Sequence, residues 1–159
     1  MAETLGSLVD KITIKEIRKY HLQEMIKLKL KKFSADAINS KITLLNKQIK
    51  NMGDEIDDFM ISALKGKMHL RDEKLKIYNA LEDMNKIPQF ASLGAAISGL
   101  AQKNLELWHL EDEARRNDVS LEYIGGIKKK IDSANQQRND LIDKIDSLLE
   151  GLAKERPAK

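Results

Sequence analysis

Apolar residues recur along this chain at alternating steps of four and three, and a chain with that rhythm has few folds open to it. From Ile38 the apolar positions run Ile42, Leu45, Ile49, Met52, Ile56, Phe59 and Ala63, one continuous stripe on one face of a helix. The C-terminal segment repeats the rhythm at Ile127, Ile131, Ala134, Arg138, Leu141, Ile145, Leu148 and Leu152, with an arginine in the place of one hydrophobe. Strands would need an apolar period of two and a supply of aromatic and turn residues. Aromatics are only 4% of the chain and there are two prolines. The apolar set makes up 42%, enough to fill a core, so the sequence predicts a packed all-α protein.

Punctuation divides the pattern. Ser34 and Ser120 stand where an N-cap hydroxyl would accept from the first free amides, and Asn117 and Asp118 suit the turn before Ser120. Pro88 separates the middle of the chain from a segment opening at Ser92. Helices are expected at about 4–32, 35–64, 68–86, 91–116 and 120–154. Gly66 is a weak break, because the three-four stepping can be carried through it and would fuse the second and third helices into one rod. The architecture expected is an elongated up-and-down bundle of four to five long helices.

Comparison of the chain with itself strengthens this. A shift of 88 aligns Leu5 with Leu93, Gly6 with Gly94, Lys15 with Lys103, His21 with His109 and Leu22 with Leu110. A shift of 89 aligns Ile38 with Ile127, Ile42 with Ile131, Asn46 with Asn135, Asp54 with Asp143 and Asp57 with Asp146. Two amphipathic helices slid to a common phase would share isoleucines, but not His21 with His109 or Asn46 with Asn135. The pattern reads as a duplicated helical hairpin. Residues 1–159 then form a single helical domain: repeat one at about 4–64, a connecting helix at about 68–86 and repeat two at about 91–154.

Charge narrows the partners. Twenty-eight basic and 25 acidic side chains leave a net charge of +3, which makes nucleic acid an improbable ligand. There is no cysteine, so disulfides, thiolate nucleophiles and cysteine zinc sites are excluded. No apolar run approaches the roughly 18 residues a membrane span needs, and a cytoplasmic location is expected. Basic residues cluster at Lys27, Lys29, Lys31 and Lys32, and again at Lys128, Lys129 and Lys130 near Arg115 and Arg116. The two clusters are expected to merge into one pole if the chain runs unbroken through Gly66, and to lie at opposite ends if it does not.

Arg138 is the sharpest candidate for chemistry. It sits on an apolar stripe where the first repeat carries Ile49, with Asn135, Asp132 on the turn before and Asn139 beside it. A guanidinium facing a core requires a carboxylate or several acceptors, and the candidate partners are Glu16 in the first helix and its repeat counterpart Asn104 in the fourth, with a Glu16 pair expected to lock the hairpins in register. The same planar fork, flanked by asparagine amides, would suit a phosphate or carboxylate. Trp108 and His109, with Glu111 and Asp112 a turn on, form the second constellation, repeated as Tyr20 and His21. His109 with Asp112, or His21 with Glu24, would make an oriented base, but no serine, lysine or cysteine stands at helical spacing to complete a nucleophile. Glu106 and His109 spell Glu-x-x-His, as in carboxylate-bridged dinuclear centres, yet Arg18 replaces the glutamate in the first repeat. No motif points to a metal or another cofactor. Gly94, Gly99, Gly125 and Gly126 are expected to allow close helix approach or fraying.

Residues 5–14 (LGSLVDKITI), 107–116 (LWHLEDEARR) and 135–140 (NQQRND) resemble the signature segments of an uncharacterised bacterial all-helical family whose members are encoded beside glycosyltransferases of cell-surface polysaccharide synthesis. The likeness covers about 5–21 and 105–146 and leaves the middle of the chain outside it. It implies a cellular setting and no activity, and marks Trp108, His109, Glu111, Asp112, Arg138, Asn139 and Asp140. Two functions are therefore expected to compete. One is a non-enzymatic interaction protein that self-associates or supports a glycosyltransferase partner. The other is a small enzyme or binding protein for a phosphorylated sugar or sugar nucleotide, built on Arg138, Asn135, Asn139 and His109.

Overall fold

The computed structural model describes residues 3–29, 33–71 and 92–155. They form four helices and no strand: α1 (Leu5–Lys27), α2 (Ala35–Leu64), α3 (Leu93–Ala114) and α4 (Leu121–Glu155). Each begins on a hydroxyl. Thr4 accepts from the Ser7 amide, Ser34 from Ala37, Ser92 from Ala95 and Ser120 from Tyr123, at 3.1–3.2 Å. Each bond satisfies one of the amides that a helix start leaves without an intrahelical acceptor.

Gly66 does end α2. It takes φ +64°, its amide donates to the Ala63 carbonyl at 3.0 Å, and the next amide, of Lys67, reaches back to Ser62 at 3.1 Å. This pair of bonds closes a helix through a left-handed residue and excludes the continuous rod. Residues 68–71 are not helical, and the remainder of the helix expected at 68–86 lies outside the described residues. The α1 terminus uses the same device with a poorer residue: Lys29 has φ 50°, and its amide bonds Ile26 at 3.1 Å. A side chain in the left-handed region costs about 1 kcal/mol. Lys29→Gly is therefore expected to raise the melting temperature by roughly 2–4 °C in a thermal denaturation, while Gly66→Ala lowers it.

Topology follows from which residues meet. Lys15 of α1 bonds Gln48 of α2 at 2.9 Å, and α1 and α2 run antiparallel. Leu107 packs with Ile127, Ile131 and Ala134, while Ala96 and Leu100 lie in one cluster with Ile145 and Leu149, so α3 and α4 also run antiparallel. Between the hairpins, Asp10 and Thr13 meet Asn104, and His21 meets Trp108. Thus α1 and α3 are parallel neighbours and the bundle is up-and-down. The α1–α2 and α3–α4 turns consequently share one end although Gly66 breaks the chain. The expectation that such a break separates the basic clusters is corrected: α2 finishes and α3 begins together at the other end, where Ala63, Leu93 and Leu149 line one cavity.

The main core fills that second end. Leu5, Leu8, Val9, Met52, Phe59, Ala96, Leu100, Leu141 and Ile145 are buried together. Helix α1 packs against all three of the others. Its closest approach is at Gly6, where a Cβ would overlap the Ile142 carbonyl oxygen of α4. The Gly6 amide, unsatisfied within its own helix, donates to Asp146 Oδ1 at 2.7 Å; Asp146 is 2% exposed. A buried carboxylate of α4 thus caps the positive end of α1. The close approach predicted for Gly94, Gly125 and Gly126 is not found, since an added Cβ there meets nothing within 4 Å.

Candidate functional site

A polar seam crosses the bundle above the core. Asp10, 7% exposed, accepts from Asn104 Nδ2 at 2.9 Å, and the same amide nitrogen donates to the Thr13 hydroxyl at 2.9 Å. Arg138 Nε of α4 lies 3.5 Å from Asp10 Oδ1. Three helices are joined by groups that cannot be buried singly without loss of their hydration.

The expected Arg138 partner is corrected here. Glu16 is exposed and paired with Lys19 at 2.8 Å; the carboxylate that faces Arg138 is Asp10, six residues earlier. Six residues leave a helix about 120° short of two whole turns, so the two side chains stand on different faces. Asp10 interrupts the apolar run Leu5, Leu8, Val9, Ile12 just as Arg138 interrupts its own stripe. That shared anomaly is the sequence signal that identifies the pair.

The other marked residues are partly brought together. Asn135 accepts from Arg138 Nη1 at 3.5 Å. Asn139 is exposed, whereas Asp140 is buried and partnered. Glu111 and Asp112 both face Arg115, at 3.6 and 3.1 Å. Asp112 is thus committed to an arginine and does not orient His109. His21 does have its carboxylate, with Nδ1 2.9 Å from Glu24 Oε2. Its ring lies flat on Trp108, centroids 4.9 Å apart and planes 6° from parallel, and stands edge-on to His109 at 5.8 Å. The repeat equivalents His21 and His109 thus meet across the α1–α3 seam.

Between the hairpins is a cleft of about 280 Å³. Three guanidinium groups, Arg18, Arg115 and Arg138, line it together with Asn104, Trp108 and Glu111. Arg18 and Arg115 entered the sequence reading only as a departure from Glu-x-x-His and as part of a basic cluster; their convergence depends on the parallel placement of α1 and α3. Arg138 is not saturated. Of its five N–H donors one has a 3.5 Å bond, and Nε is buried without a hydrogen-bond partner. Asn104 spends its amide nitrogen on Asp10 and Thr13, which leaves its carbonyl oxygen as the group to offer the cleft. Arg116, by contrast, is held by Asp118 and Glu113 on the adjoining turn. Its guanidinium keeps Asp118 below the usual carboxylate range, and Tyr123 and Arg116 do the same for Glu113.

Residues 95–159 match a family described as a protein of unknown function, DUF4254. The DUF4254 match takes in Asn104, Trp108, Glu111, Arg115 and Arg138, the α3 and α4 share of the cleft, while Asp10 and Arg18 precede it. Comparison with curated proteins finds no match, and comparison with solved structures finds none. Among the described residues no helix is long and apolar enough to cross a membrane, and no group of three or more His, Cys, Asp or Glu is placed to hold a metal ion.

Proposed function

We propose that the protein is a helical binding module that captures a phosphate-bearing small molecule, of the phosphorylated-sugar or sugar-nucleotide class, in the cleft between its hairpins. The observation that carries this is the convergence of Arg18, Arg115 and Arg138 on one half-buried space. Glu111 and Asp112 answer Arg115 and Asp10 answers Arg138, which leaves the Arg18 guanidinium and the unspent donors of Arg138 to meet an added anion. Guanidinium forks with free donors match phosphate oxygens. The Asn104 carbonyl would accept from a sugar hydroxyl, and the Trp108 ring would cover an apolar ring face. Among the described residues the cleft lining offers guanidinium groups, an amide and an indole but no serine, threonine, lysine or histidine, a set suited to capture of a ligand. The resemblance to a family found beside polysaccharide glycosyltransferases suggests an accessory role, with such an enzyme as the partner to which the ligand is presented in the cytoplasm.

A thermal-shift panel of inorganic phosphate, sugar phosphates and sugar nucleotides at low salt tests this. Ligand at about 100 times its dissociation constant adds about 2.7 kcal/mol, which for a chain of this size raises the melting temperature by roughly 5–10 °C. Arg18→Ala, an exposed change, is expected to abolish most of that rise while leaving the free protein's melting temperature in place. A panel without any rise, or a rise indifferent to Arg18→Ala, would refute the proposal.

A second reading, docking through protein contacts, draws on α2. Leu44, Ile61 and Leu64 are 50–73% exposed there, and α2 packs chiefly on α1. Light scattering across a concentration series would reveal self-association through this face, and Leu64→Glu would abolish it.

A further inference from the structure

Both interhelical turns lie at one end of the bundle, and that end is poorly covered. From Ile26 to Phe33 the sequence reads IKLKLKKF, four lysines and four large apolar residues with no acid among them. Its described members stay out of the core: Ile26, Leu28 and Phe33 are exposed, Leu28 by 67%, and Lys27 and Lys29 are exposed beside them. The second turn adds Tyr123 and Leu121, which at 90% is the barest large hydrophobe among the described residues. We propose that this end of the bundle is a docking tip for the surface of an anionic lipid bilayer, with Leu28, Phe33 and Leu121 entering among the headgroups.

Position is the first ground. Helices α1 and α3 are parallel neighbours, so the turns that follow them can meet one flat surface together. Single exposed leucines are ordinary, but Ile26, Leu28, Phe33, Leu121 and Tyr123 gather at this one end. Charge is the second ground. Lys27, Lys29 and Lys41 around the first turn, and Lys128, Lys129 and Lys130 behind the second, are exposed and make no ion pair among the described residues. Of the acids nearby, Asp112 is held by Arg115, and Glu113 and Asp118 by Arg116. Asp36 and Glu122 each stand in the first turn of a helix, whose positive end offsets them. Depth is the third ground. Lys128 to Lys130 lie seven to nine residues into α4 from Leu121, about 10–14 Å behind it. A flexible lysine stem covers much of that distance, and a headgroup layer about 5–8 Å thick covers the rest. Lys41 already lies along the tip, its Nζ 4.6 Å over the Phe33 ring. Apolar groups separated by lysines form no continuous patch for a protein partner, whereas a bilayer admits each leucine singly while the ammonium groups meet phosphates.

The tip is separate from the arginine cleft, and the experiment keeps the two apart. Full-length protein is floated with vesicles of phosphatidylcholine containing about one-third phosphatidylglycerol, and in parallel with vesicles of phosphatidylcholine alone. Saturable binding to the anionic vesicles is expected, at least about tenfold tighter than to the neutral ones and weakened by added salt. Leu28→Ser with Leu121→Ser is expected to weaken it about tenfold or more, with the melting temperature unchanged because both side chains are exposed. Lys27→Gln with Lys29→Gly removes two charges, each worth about fivefold, and the glycine suits the left-handed backbone at position 29. Leu64→Glu at the opposite end and Arg18→Ala in the cleft are each expected to leave vesicle binding intact. Absence of binding to anionic vesicles, or equal binding to neutral ones, would overturn the assignment. So would full binding by the leucine pair, which would give this end to a protein partner, or loss with Arg18→Ala, which would place the lipid phosphate in the cleft.

Discussion

Gly6→Ala is expected to destabilise the protein by about 3 kcal/mol, whereas the same change at its repeat equivalent, Gly94, stabilises it. A methyl on Gly6 would overlap the Ile142 carbonyl oxygen, and because that atom belongs to the α4 backbone it cannot swing aside. Helix α1 must back away, loosening Leu5, Leu8 and Val9 in the core and stretching the bond from Gly6 to Asp146. Overpacking of this kind costs about 1–3 kcal/mol, and the weakened buried bond adds to it. The melting temperature should fall by roughly 6–12 °C. At Gly94 nothing lies within 4 Å of an added Cβ, so only the better helix propensity of alanine is felt, up to about 1 kcal/mol in favour. Opposite signs at two aligned glycines, read from the two melting curves, check that α1 rather than α3 is pressed into the groove of the other hairpin. Two falls of equal size would show that it is not.

Removal of the Asp10 carboxylate should be nearly as costly. Asp10→Ala leaves the Asn104 amide with its bond to Thr13 alone and leaves Arg138 facing the seam without its counter-charge. Breaking a buried pair from one side costs about 3–5 kcal/mol. Arg138 is still 29% exposed and its contact with Asp10 is 3.5 Å, so the lower end, about 3 kcal/mol, is expected here. Arg138→Met alone should cost less, because Asp10 keeps its bond from Asn104. The double variant Asp10→Ala with Arg138→Met should be more stable than the sum of the single losses by about 1 kcal/mol or more. Denaturant titrations of the four proteins supply the cycle, and strict additivity would mean that the two groups do not interact.

The contrast between Glu16 and Asp10 shows where sequence reasoning reaches its end. The ends of the helices are legible because capping is local: Ser34, Ser92 and Ser120 each need only the amide three residues on. The stripe on α2 is legible because that helix faces one neighbour, and its buried residues Ile38, Leu45, Met52 and Phe59 fall on the seven-residue repeat. Helix α1 has three neighbours, so its apolar and small polar residues are spread around it and no single azimuth stands out. A pairing that depends on azimuth, such as Arg138 with Asp10, then has two carboxylates to choose between. The arginine cleft is further out of reach, since it needs the relative direction of two hairpins. That direction is set by contacts 91 to 140 residues apart, such as Thr13 with Asn104 and Gly6 with Asp146. What the sequence does show is each break in a stripe: Asp10 and Arg138 both stand where a hydrophobe is due, and they are the two charges that meet.

The cleft and the seam joining Asp10 and Thr13 to Asn104 both require α1 and α3 to lie side by side in the same direction. The chain has no cysteine, so spin labels can be placed at will at exposed positions. Pulsed dipolar spectroscopy on Lys27→Cys with Arg115→Cys, compared with Lys27→Cys with Ala95→Cys, reads that direction. A parallel pair predicts a short first distance, about 20 Å, set by neighbouring helix ends. The second should exceed it by at least about 10 Å, because 19 residues of helix separate Ala95 from Ala114 at 1.5 Å each. The reverse order, with position 27 nearer to 95 than to 115, would contradict the account.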